Sequence, residues 1–410
     1  MSNPVPASPF SPVAIGPLTL KNRFIKAATN EGMSAGGVPS KQLAQLHGNL
    51  AAGGVALTTV AYCAVSRDGR TLPNQLILEP ASLPHFKALT DAVHGNGGLA
   101  SAQITHGGCF TFIRERSTRR PLSASGGFNK IGVMSGMFFK QAMSEADMAQ
   151  VVADFAQGAR LAREAGFDAV EIHMGHGYLL SQFISPIYNK RRDQYGGSLE
   201  NRLRFPRRVL RAVLDAVGQD LAVICKYSIT EGTRAGNSAD DGARIARMLE
   251  AEGAHLLVLS AGMNAESITT MFGSSFPKEN RVQQKNPLIA LAMAIQRRTE
   301  PEVKFRELYL LEHARKVRAA VKMPLAYLGG AQGLAGIEQV IGEGFELVAM
   351  GRALIAEPGY VNKLASGEER NNRCTACNRC VAMMYTPGGT SCVLGEPGDA
   401  ALNRVPAGSA

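Results

Sequence analysis

The feature that most restricts the fold is a regular alternation of short apolar runs with amphipathic stretches along most of the chain. The apolar runs are rich in β-branched and aliphatic residues, as in parallel strands that are buried on both faces. Eight runs are predicted to be strands, at 24–29, 55–62, 98–104, 167–174, 221–228, 255–261, 324–329 and 345–351. Helical periodicity lies between them, for example at 144–165 and 239–252. Eight strand–helix units are what a closed (β/α)8 barrel, or TIM barrel, requires, so we predict an α/β protein of this class.

An open, doubly wound parallel sheet is the alternative for the same alternation. Its dinucleotide site carries a GxGxxG motif after a strand, and no predicted strand here is followed by one. Ahead of the first strand, 13–22 predicts a hairpin that turns at Gly16-Pro17 and plugs the amino end of the barrel. The connections 105–143 and 262–304 are long and follow strands. We therefore expect both of them on the catalytic face.

The predicted domain organisation is one barrel over 1–356, a cysteine-rich extension over 357–394 and a disordered tail over 395–410. A length of 410 residues fits this division, because a barrel needs about 250 residues and often carries insertions. The sequence has no run of about 18 apolar residues, so no membrane span is expected. The amino terminus lacks the basic and apolar regions of a signal peptide.

The formal net charge of +10 raises the question of a nucleic-acid partner. The basic residues are scattered, and the arginines clustered in one loop have no interleaved aromatic residues. We therefore expect a solvated surface and no nucleic-acid partner, with attraction of an anionic substrate or of nucleotide phosphates as the alternative. Seven cysteines, four of them within 374–392, indicate metal or cluster ligands in a reduced, cytoplasmic protein. A homo-oligomer is left open.

The stretch Glu171-Ile-His-Met-Gly-His-Gly-Tyr178 carries the most chemical information. His173 ends the predicted fourth strand, and His176 and Tyr178 follow in the loop. Two imidazoles three residues apart at a barrel mouth can converge on one oxygen atom. Zinc is the alternative use of the pair, with Glu171 as third ligand, because residues two apart on a strand share a face.

This stretch and the later Tyr195-Gly-Gly-Ser-Leu-Glu-Asn-Arg202 resemble the active-site strand and loop of the Old Yellow Enzyme family. The resemblance extends from residue 18 to 352 and implies FMN as cofactor and NAD(P)H as reductant. It implies that His173 and His176 bind the acceptor oxygen of a small-molecule substrate and that Tyr178 protonates carbon. The implied activity is ene-reduction of an activated C=C bond. Flavin-dependent oxidative N-demethylation and a barrel metallohydrolase with zinc on the histidine pair are the alternatives.

The same resemblance implies a set of FMN-binding residues at the strand ends. Asn30 departs from the Cys, Thr or His of relatives, which leaves the flavin potential open. A lysine that reaches solvent from its strand end is the alternative for Lys226. Gly329-Gly330 after the seventh strand and Gly351-Arg352 after the eighth match a barrel phosphate site. The full set is Ala27, Ala28, Thr29, Asn30, Tyr62, Gln103, Lys226, Gly329, Gly330, Gly351 and Arg352.

The extension carries Cys374, Cys377, Cys380 and Cys392 in the spacing C-x2-C-x2-C-x11-C. Four thiolates so spaced suit a [4Fe–4S] cluster or a structural zinc ion, and free thiols are the third alternative. The region resembles the iron–sulfur motif of the dienoyl-CoA reductase and trimethylamine dehydrogenase branch of the family, with a slightly shorter spacing. The remaining cysteines, Cys63, Cys109 and Cys225, are expected to be small core or loop residues.

Overall fold

The central feature of the computed structural model is a closed barrel of eight parallel strands. The structure describes residues 7–277, 302–386 and 388–394. We number the barrel strands β1 (Phe24–Asn30), β2 (Leu57–Ala64), β3 (Leu99–Thr105), β4 (Ala169–His173), β5 (Ala222–Ser228), β6 (Leu256–Ser260), β7 (Leu325–Tyr327) and β8 (Leu347–Met350). Strand β8 pairs with β1, Val348 opposite Phe24, and so closes the sheet. The (β/α)8 prediction and all eight predicted strands are confirmed, and closure excludes the open, doubly wound sheet.

The described helices follow the strands in the expected alternation. Four of the longer ones begin after a serine whose hydroxyl accepts a hydrogen bond from the third helical N–H, a cap worth about 1 kcal/mol each. The predicted helices at 144–165 and 239–252 are confirmed. The helices are α1 (Lys41–Ala52), α2 (Leu83–His94), α3 (Glu145–Glu164), α4 (Leu179–Ile184), α5 (Leu199–Val217), α6 (Ala239–Glu252), α7 (Ile268–Phe272), α8 (Leu311–Arg318), α9 (Leu334–Gly342), α10 (Arg352–Ala356), α11 (Tyr360–Ser366) and α12 (Arg379–Met383).

The amino end of the barrel is closed by the predicted hairpin, Val13–Ile15 paired with Leu18–Leu20. Ile15 and Leu20 are fully buried against the inward-facing aliphatic residues of the barrel strands. Each such side chain contributes about 1.5–3 kcal/mol on burial, so the hairpin stabilises the barrel floor and leaves the opposite end for chemistry. The predicted plug is confirmed.

The first long connection folds over the carboxyl end of the barrel. It contains a small three-stranded sheet, Leu122–Ser123, Gly127–Phe128 and Phe139–Ala142, with the last strand in the centre. The second connection begins with α7 after β6, and its residues 278–301 lie outside the described residues.

The chain leaves the barrel after α10 and continues through α11 and α12. The Tyr360 hydroxyl donates to the Gln332 carbonyl at 2.6 Å, which fastens α11 to the loop after β7. The predicted boundary between 356 and 357 stays a prediction, and the predicted disordered tail lies outside the described residues. No helix in the described part of the chain has the length and apolar character needed to cross a membrane.

Candidate active site

His173, His176 and Tyr178 come together at the carboxyl end of β4, as the sequence predicts. His173 is the last residue of β4, and the other two lie in the loop before α4. The His173 ring centroid is 4.9 Å from that of His176 and 4.7 Å from that of Tyr178. All three side chains are buried. The three rings therefore form one compact polar group in the mouth of the barrel.

Hydrogen bonds fix the orientation of the two imidazoles. The Gly175 N–H donates to His173 Nδ1 at 3.2 Å, and His173 Nε2 lies 3.3 Å from His176 Nδ1. On the far side, His176 Nε2 lies 2.7 Å from Ser260 Oγ at the end of β6. Burial lowers the pKa of both histidines well below the usual 6.5. Each ring is therefore neutral at neutral pH and carries one N–H proton.

The backbone at His176 is held in an unusual conformation. Its φ of 62° lies in the left-handed region, which costs a non-glycine residue about 1 kcal/mol or more. The His176 N–H donates to Ser228 Oγ at 3.3 Å, and its carbonyl accepts from the Asn264 N–H at 3.2 Å. Contacts from two neighbouring strand ends thus hold the His176 ring against its partners.

Tyr178 lies in an aromatic pocket next to the histidines. Its ring centroid is 5.4 Å from that of Tyr62 and 5.5 Å from that of Phe110. Burial raises the pKa of Tyr178 well above the usual 10, so the phenol is protonated at neutral pH. The side chain of Asn264 is close enough to lower that pKa slightly, and its buried Nδ2 has no hydrogen-bond partner within the described ranges. Asn264 gave no sequence signal, because it lies in an irregular loop.

A second group of polar side chains lies inside the barrel below the histidines. Gln103 Nε2 donates to Glu171 Oε1 at 2.6 Å, and Lys226 Nζ donates to the Ala28 carbonyl at 3.1 Å. Lys226 is only 3 % exposed, which rules out the alternative of a lysine that reaches solvent. Burial lowers the pKa of Lys226, and the nearby Glu171 carboxylate opposes that shift. Burial likewise raises the pKa of Glu171, with Lys226 opposing.

The comparisons with known proteins agree with this geometry. A family model described as the NADH:flavin oxidoreductase / NADH oxidase family matches residues 8–371. The chain belongs to this family. Family members are oxidoreductases, and the resemblance to the Old Yellow Enzyme family is confirmed. The metallohydrolase alternative is not retained, since Glu171 bonds to Gln103 and does not join the histidine pair.

Individual relatives differ in what they reduce or oxidise. The chain is 40 % identical over 390 residues to a protein named 4,4'-dithiodibutanoate disulfide reductase from Rhodococcus erythropolis, with 94 % of each covered. It is 32 % identical to an NADH oxidase of Thermoanaerobacter brockii, covering 90 % of this chain and 52 % of that protein. The chain thus spans nearly all of the first and about half the length of the second. A solved morphinone reductase, 22 % identical with 90 % and 94 % of the two chains covered, superposes with a TM-score of 0.67 and supports the fold.

Family membership implies FMN and a NADH-type reductant, and the interior residues fit FMN. Lys226 is a buried cation with a single acceptor, the Ala28 carbonyl, within the described residues. A buried ammonium group is costly unless further oxygen or anionic partners reach it, and a flavin pyrimidine edge offers them. Gln103, which pairs with Glu171 of the intervening strand β4, is also buried inside the barrel. These residues would hold the flavin ring, and their individual roles remain predictions.

The end of β1 contains a buried ion pair that the sequence did not reveal. Ala27 and Ala28 are buried, whereas Thr29 and Asn30 are half-buried at the site. Lys26 Nζ bonds to the Glu31 carboxylate and also donates to Thr29 Oγ1 at 2.7 Å. A lysine inside an apolar strand followed by an acidic residue was the available signal. The Thr29 hydroxyl, expected to contact the flavin, is therefore bonded within this pair.

The predicted phosphate-binding residues lie where β7 and β8 end. A Cβ placed on Gly329 would come within 2.5 Å of the Tyr327 hydroxyl, and Gly330 has a φ of 81°. Both positions therefore need glycine for steric reasons. Gly351 precedes α10, and a Cβ there would meet nothing closer than 3.6 Å. These positions are suited to close backbone approach by a phosphate, and that role remains a prediction.

Arg352 makes contacts that the sequence did not predict. Its guanidinium donates to the Phe272 carbonyl at 2.6 Å and to the Ala376 carbonyl at 3.3 Å. It also bonds to the Asn378 side chain and lies over the Phe272 ring. Arg352 therefore joins α10 to both the loop after β6 and the cysteine-rich extension. Its expected bond to phosphate stays a prediction.

The four cysteines of the extension line one pocket together with Arg352 and Asn378. Burial raises the pKa of Cys374, and it raises the pKa of Cys380 to about 12. Nowhere in the described ranges do three or more His, Cys, Asp or Glu side chains have the spacing needed to hold one metal ion. Four cysteine thiolates are a ligand set used by [4Fe–4S] clusters and by structural zinc ions alike. Both remain predictions. Cys63, Cys109 and Cys225 are buried core residues, as expected.

Proposed function

We propose that this protein is an FMN-dependent, NAD(P)H-driven reductase of activated C=C bonds. The observation that carries the proposal is the buried group of two neutral imidazoles and one protonated phenol at the barrel mouth. Such a group offers hydrogen-bond donors for an acceptor oxygen and a separate proton for carbon. Asn264 Nδ2, which lacks a hydrogen-bond partner among the described residues, offers a further donor beside the phenol.

The chain's own residues account for the polar part of the reaction. When bound, FMN would supply a hydride that it had received from NAD(P)H in a preceding half-reaction. As the substrate gains hydride at its β-carbon, negative charge grows on the conjugated oxygen. N–H donors from His173 and His176 stabilise that charge, and one such donor is worth roughly 3 kcal/mol. Tyr178 then gives its proton to the α-carbon and regains one from solvent, so the balance is one C=C bond, one NAD(P)H and one proton consumed.

Reduction of an organic disulfide is the second candidate function. It is favoured by the 40 % identity to the 4,4'-dithiodibutanoate disulfide reductase over nearly the whole chain. In that reaction hydride attacks sulfur and a thiolate leaves. A thiol has a pKa of about 8.5, so a departing thiolate needs much less help from an acid than a carbanion does. Enone reduction therefore depends on Tyr178 as an acid much more strongly than disulfide reduction does.

Oxidative N-demethylation remains the third candidate. The chain is 30 % identical to an N,N-dimethylglycine/sarcosine dehydrogenase of Chromohalobacter salexigens, of which it covers 51 %. Removal of hydride from an N-methyl group needs no proton donor to carbon. The protonated Tyr178 therefore favours reduction over demethylation.

Anaerobic stopped-flow absorbance of the FMN-loaded protein separates these candidates. NADH-treated protein is mixed with 2-cyclohexen-1-one or with 4,4'-dithiodibutanoate, and untreated protein is mixed with sarcosine. We expect the enone to restore the flavin absorbance fastest. Reoxidation by the disulfide alone would replace the proposal with the second candidate, and bleaching by sarcosine alone would replace it with the third.

A further inference from the structure

Ser260 is a buried residue of the site that no sequence pattern singled out. It ends β6 opposite Ser228 of β5, and its only side-chain hydrogen bond in the described structure is the 2.7 Å contact with His176 Nε2. The neighbouring Ser228 hydroxyl donates its proton to the Gly262 carbonyl at 2.9 Å, so that proton is not offered to His176. Ser260 is therefore the group that controls the outer nitrogen of His176.

The protons on the two rings can be counted from these contacts. The Gly175 N–H makes His173 Nδ1 an acceptor, so the single proton of neutral His173 lies on Nε2. That proton faces His176 Nδ1, which must accept it. The proton of neutral His176 then lies on Nε2 and is donated to Ser260 Oγ. In this state His176 has no proton to offer to a substrate oxygen, and the His173 proton is shared with His176.

Two donors on one oxygen require the other tautomer of His176. Its proton must then lie on Nδ1, and its Nε2 needs a donor in place of an acceptor. A serine hydroxyl can be either, because rotation about Cβ–Oγ exchanges its proton and its lone pairs. The ring gives up the Nε2 proton and takes one on Nδ1 by exchange with water, so its charge does not change.

We propose that Ser260 is a positioning residue that selects the tautomer of His176. With the site empty its hydroxyl accepts from His176, and with an oxygen ligand bound it donates to His176 so that both imidazoles face the ligand. The proposal rests on the proposed function only in assigning the histidine pair to an oxygen ligand. The tautomer itself is observable without turnover.

The test uses the FMN-loaded protein with ¹⁵N-labelled histidine and 4-hydroxybenzaldehyde as the oxygen ligand. In wild type, the NMR signals of His176 should report a proton on Nε2 without ligand and on Nδ1 at saturation. Ser260→Ala should weaken the aldehyde's Kd about five- to tenfold, the usual worth of a lost hydrogen bond. Ser260→Thr keeps the hydroxyl and should restore the Kd. A single unchanging tautomer in wild type would overturn the proposal, as would normal binding by Ser260→Ala.

The readouts separate this proposal from the proposed function. If wild type shows the tautomer change but does not reduce 2-cyclohexen-1-one, the ene-reductase proposal fails and the role of Ser260 stands. If the enone is reduced while the tautomer of His176 stays fixed, the ene-reductase proposal stands and the role of Ser260 fails. Should Ser260→Ala fold poorly, the wild-type spectra and the Thr variant still decide the matter.

A second observation concerns the part of the extension between Cys380 and Cys392. Residues 384–386 and 388–390, here called the tail loop, dock onto the chain that follows β1. The Thr390 N–H donates to the Glu31 carbonyl at 2.6 Å, and Gln42 Nε2 donates to the Gly388 carbonyl at 2.8 Å. A Cβ on Gly32 would lie 2.0 Å from the Met384 carbonyl, so the backbones touch there.

The surface that the tail loop covers belongs to the rim of the active site. Asn30, Glu31 and Gly32 line a small pocket together with Ala61 and Tyr62, and Tyr62 packs on Tyr178. Within the tail loop, Tyr385 is 67 % exposed. Its phenol is close enough to raise the pKa of both Tyr62 and Tyr178.

We infer that the tail loop forms the outer wall of the substrate site and that Tyr385 contacts the substrate there. The groups proposed to act on the reacting bond lie at the end of β4 and not in this wall. The wall therefore selects among acceptors by size and not by the chemistry of the reacting bond. This inference rests on the proposed location of the site but not on which acceptor is reduced.

Tyr385→Ala is compared with Tyr385→Phe, which keeps the ring, and with Leu394→Ala, which removes an exposed apolar residue of the same extension. The Ala variant should raise the Kd for 4-hydroxybenzaldehyde and the KM for a large aryl enone about three- to tenfold, the worth of one aromatic contact. The kcat should change little, and both controls should resemble wild type. Equal effects of Tyr385→Ala and Leu394→Ala, or no effect of either, would overturn the inference, whether or not enones are substrates.

Discussion

Tyr178 combines two properties that an acid for carbon protonation needs. Its phenol is buried, which keeps its pKa above 10, and its ring is held between His173 and Tyr62. Loss of the hydroxyl alone should therefore remove the acid and leave the packing intact.

Tyr178→Phe should slow enone-driven reoxidation by about two to four orders of magnitude, the usual contribution of a positioned general acid. The rate at which NADH bleaches the flavin should change little, because that half-reaction takes no proton from the phenol. Stopped-flow absorbance on each half-reaction measures both. Reoxidation by an enone at the wild-type rate would mean that water or another residue supplies the proton.

Glu171 affects the site through charge, since it lies next to Lys226 and accepts from Gln103. Glu171→Gln keeps an acceptor for Gln103 but removes the carboxylate that raises the pKa of Lys226. The Lys226 pKa should fall further, so FMN affinity should decline at a lower pH than in wild type. Fluorescence titration of FMN from pH 7 to 10 tests this. Lys226→Met is the control, and pH curves that coincide for Glu171→Gln and wild type would contradict the link.

The sequence could predict those residues of the site that are close together along the chain. His173, His176 and Tyr178 span six positions, so one strand end and one loop suffice to place them. Ser260 could not be predicted, because it bonds to a residue 84 positions away and is one of many serines. The contacts between strand ends that create such pairs depend on the register of the closed barrel.

At the scale of secondary-structure elements, strands that are buried on both faces have the clearest sequence pattern, a continuous apolar run. All eight barrel strands were predicted, whereas the small sheet within 105–143 was not. Two of its strands have only two residues each, too few for any alternation to be visible. Its pairing partners are set by the path of the loop over the barrel.

Arg352 at the start of α10 connects this helix to the loop after β6 and to the extension. Its loss should therefore affect all three elements. We expect Arg352→Ala to weaken FMN retention more than it slows the fraction that keeps FMN. The extension should also become easier to cleave by protease, because the bonds to Ala376 and Asn378 disappear. Arg352→Lys keeps the charge but not the fork of donors and should be intermediate. Unchanged FMN affinity with a cleavable extension would make Arg352 a purely structural residue.

The cysteine-rich extension should hold one shared centre, given that its four thiols line a single pocket. Iron, sulfide and zinc analysis of anaerobically prepared protein should find one centre per chain. Cys380→Ser should abolish this centre. Cys225→Ser, in barrel strand β5 and outside the extension, should leave it intact. Protein without stoichiometric metal would leave the four residues as free thiols.

At the scale of the whole molecule, the barrel buries four histidines away from water: His47, His106, His173 and His176. Burial lowers the pKa of each, and for His106 to about 4. In the unfolded chain each would bind a proton near pH 6.5. Between the folded and the unfolded pKa of each histidine, the unfolded state therefore binds a proton that the native state does not.

The contribution of these histidines to stability should consequently fall as the pH drops below 6.5. Each buried histidine contributes stability that is fully present above its unfolded pKa and is lost as the pH falls towards its folded pKa, with a slope of about 1.4 kcal/mol per pH unit. Urea unfolding of the FMN-loaded protein at several pH values between 7.5 and 5 should show the summed contribution of the four histidines. His106→Gln should reduce the slope by about 1.4 kcal/mol per pH unit, even though the variant is less stable overall. His85→Gln, at an exposed position where water reaches the ring in both states, should leave the slope unchanged. If His106→Gln and His85→Gln gave the same slope, acid sensitivity would have to come from the carboxylates, and His106 would be charged in the folded protein.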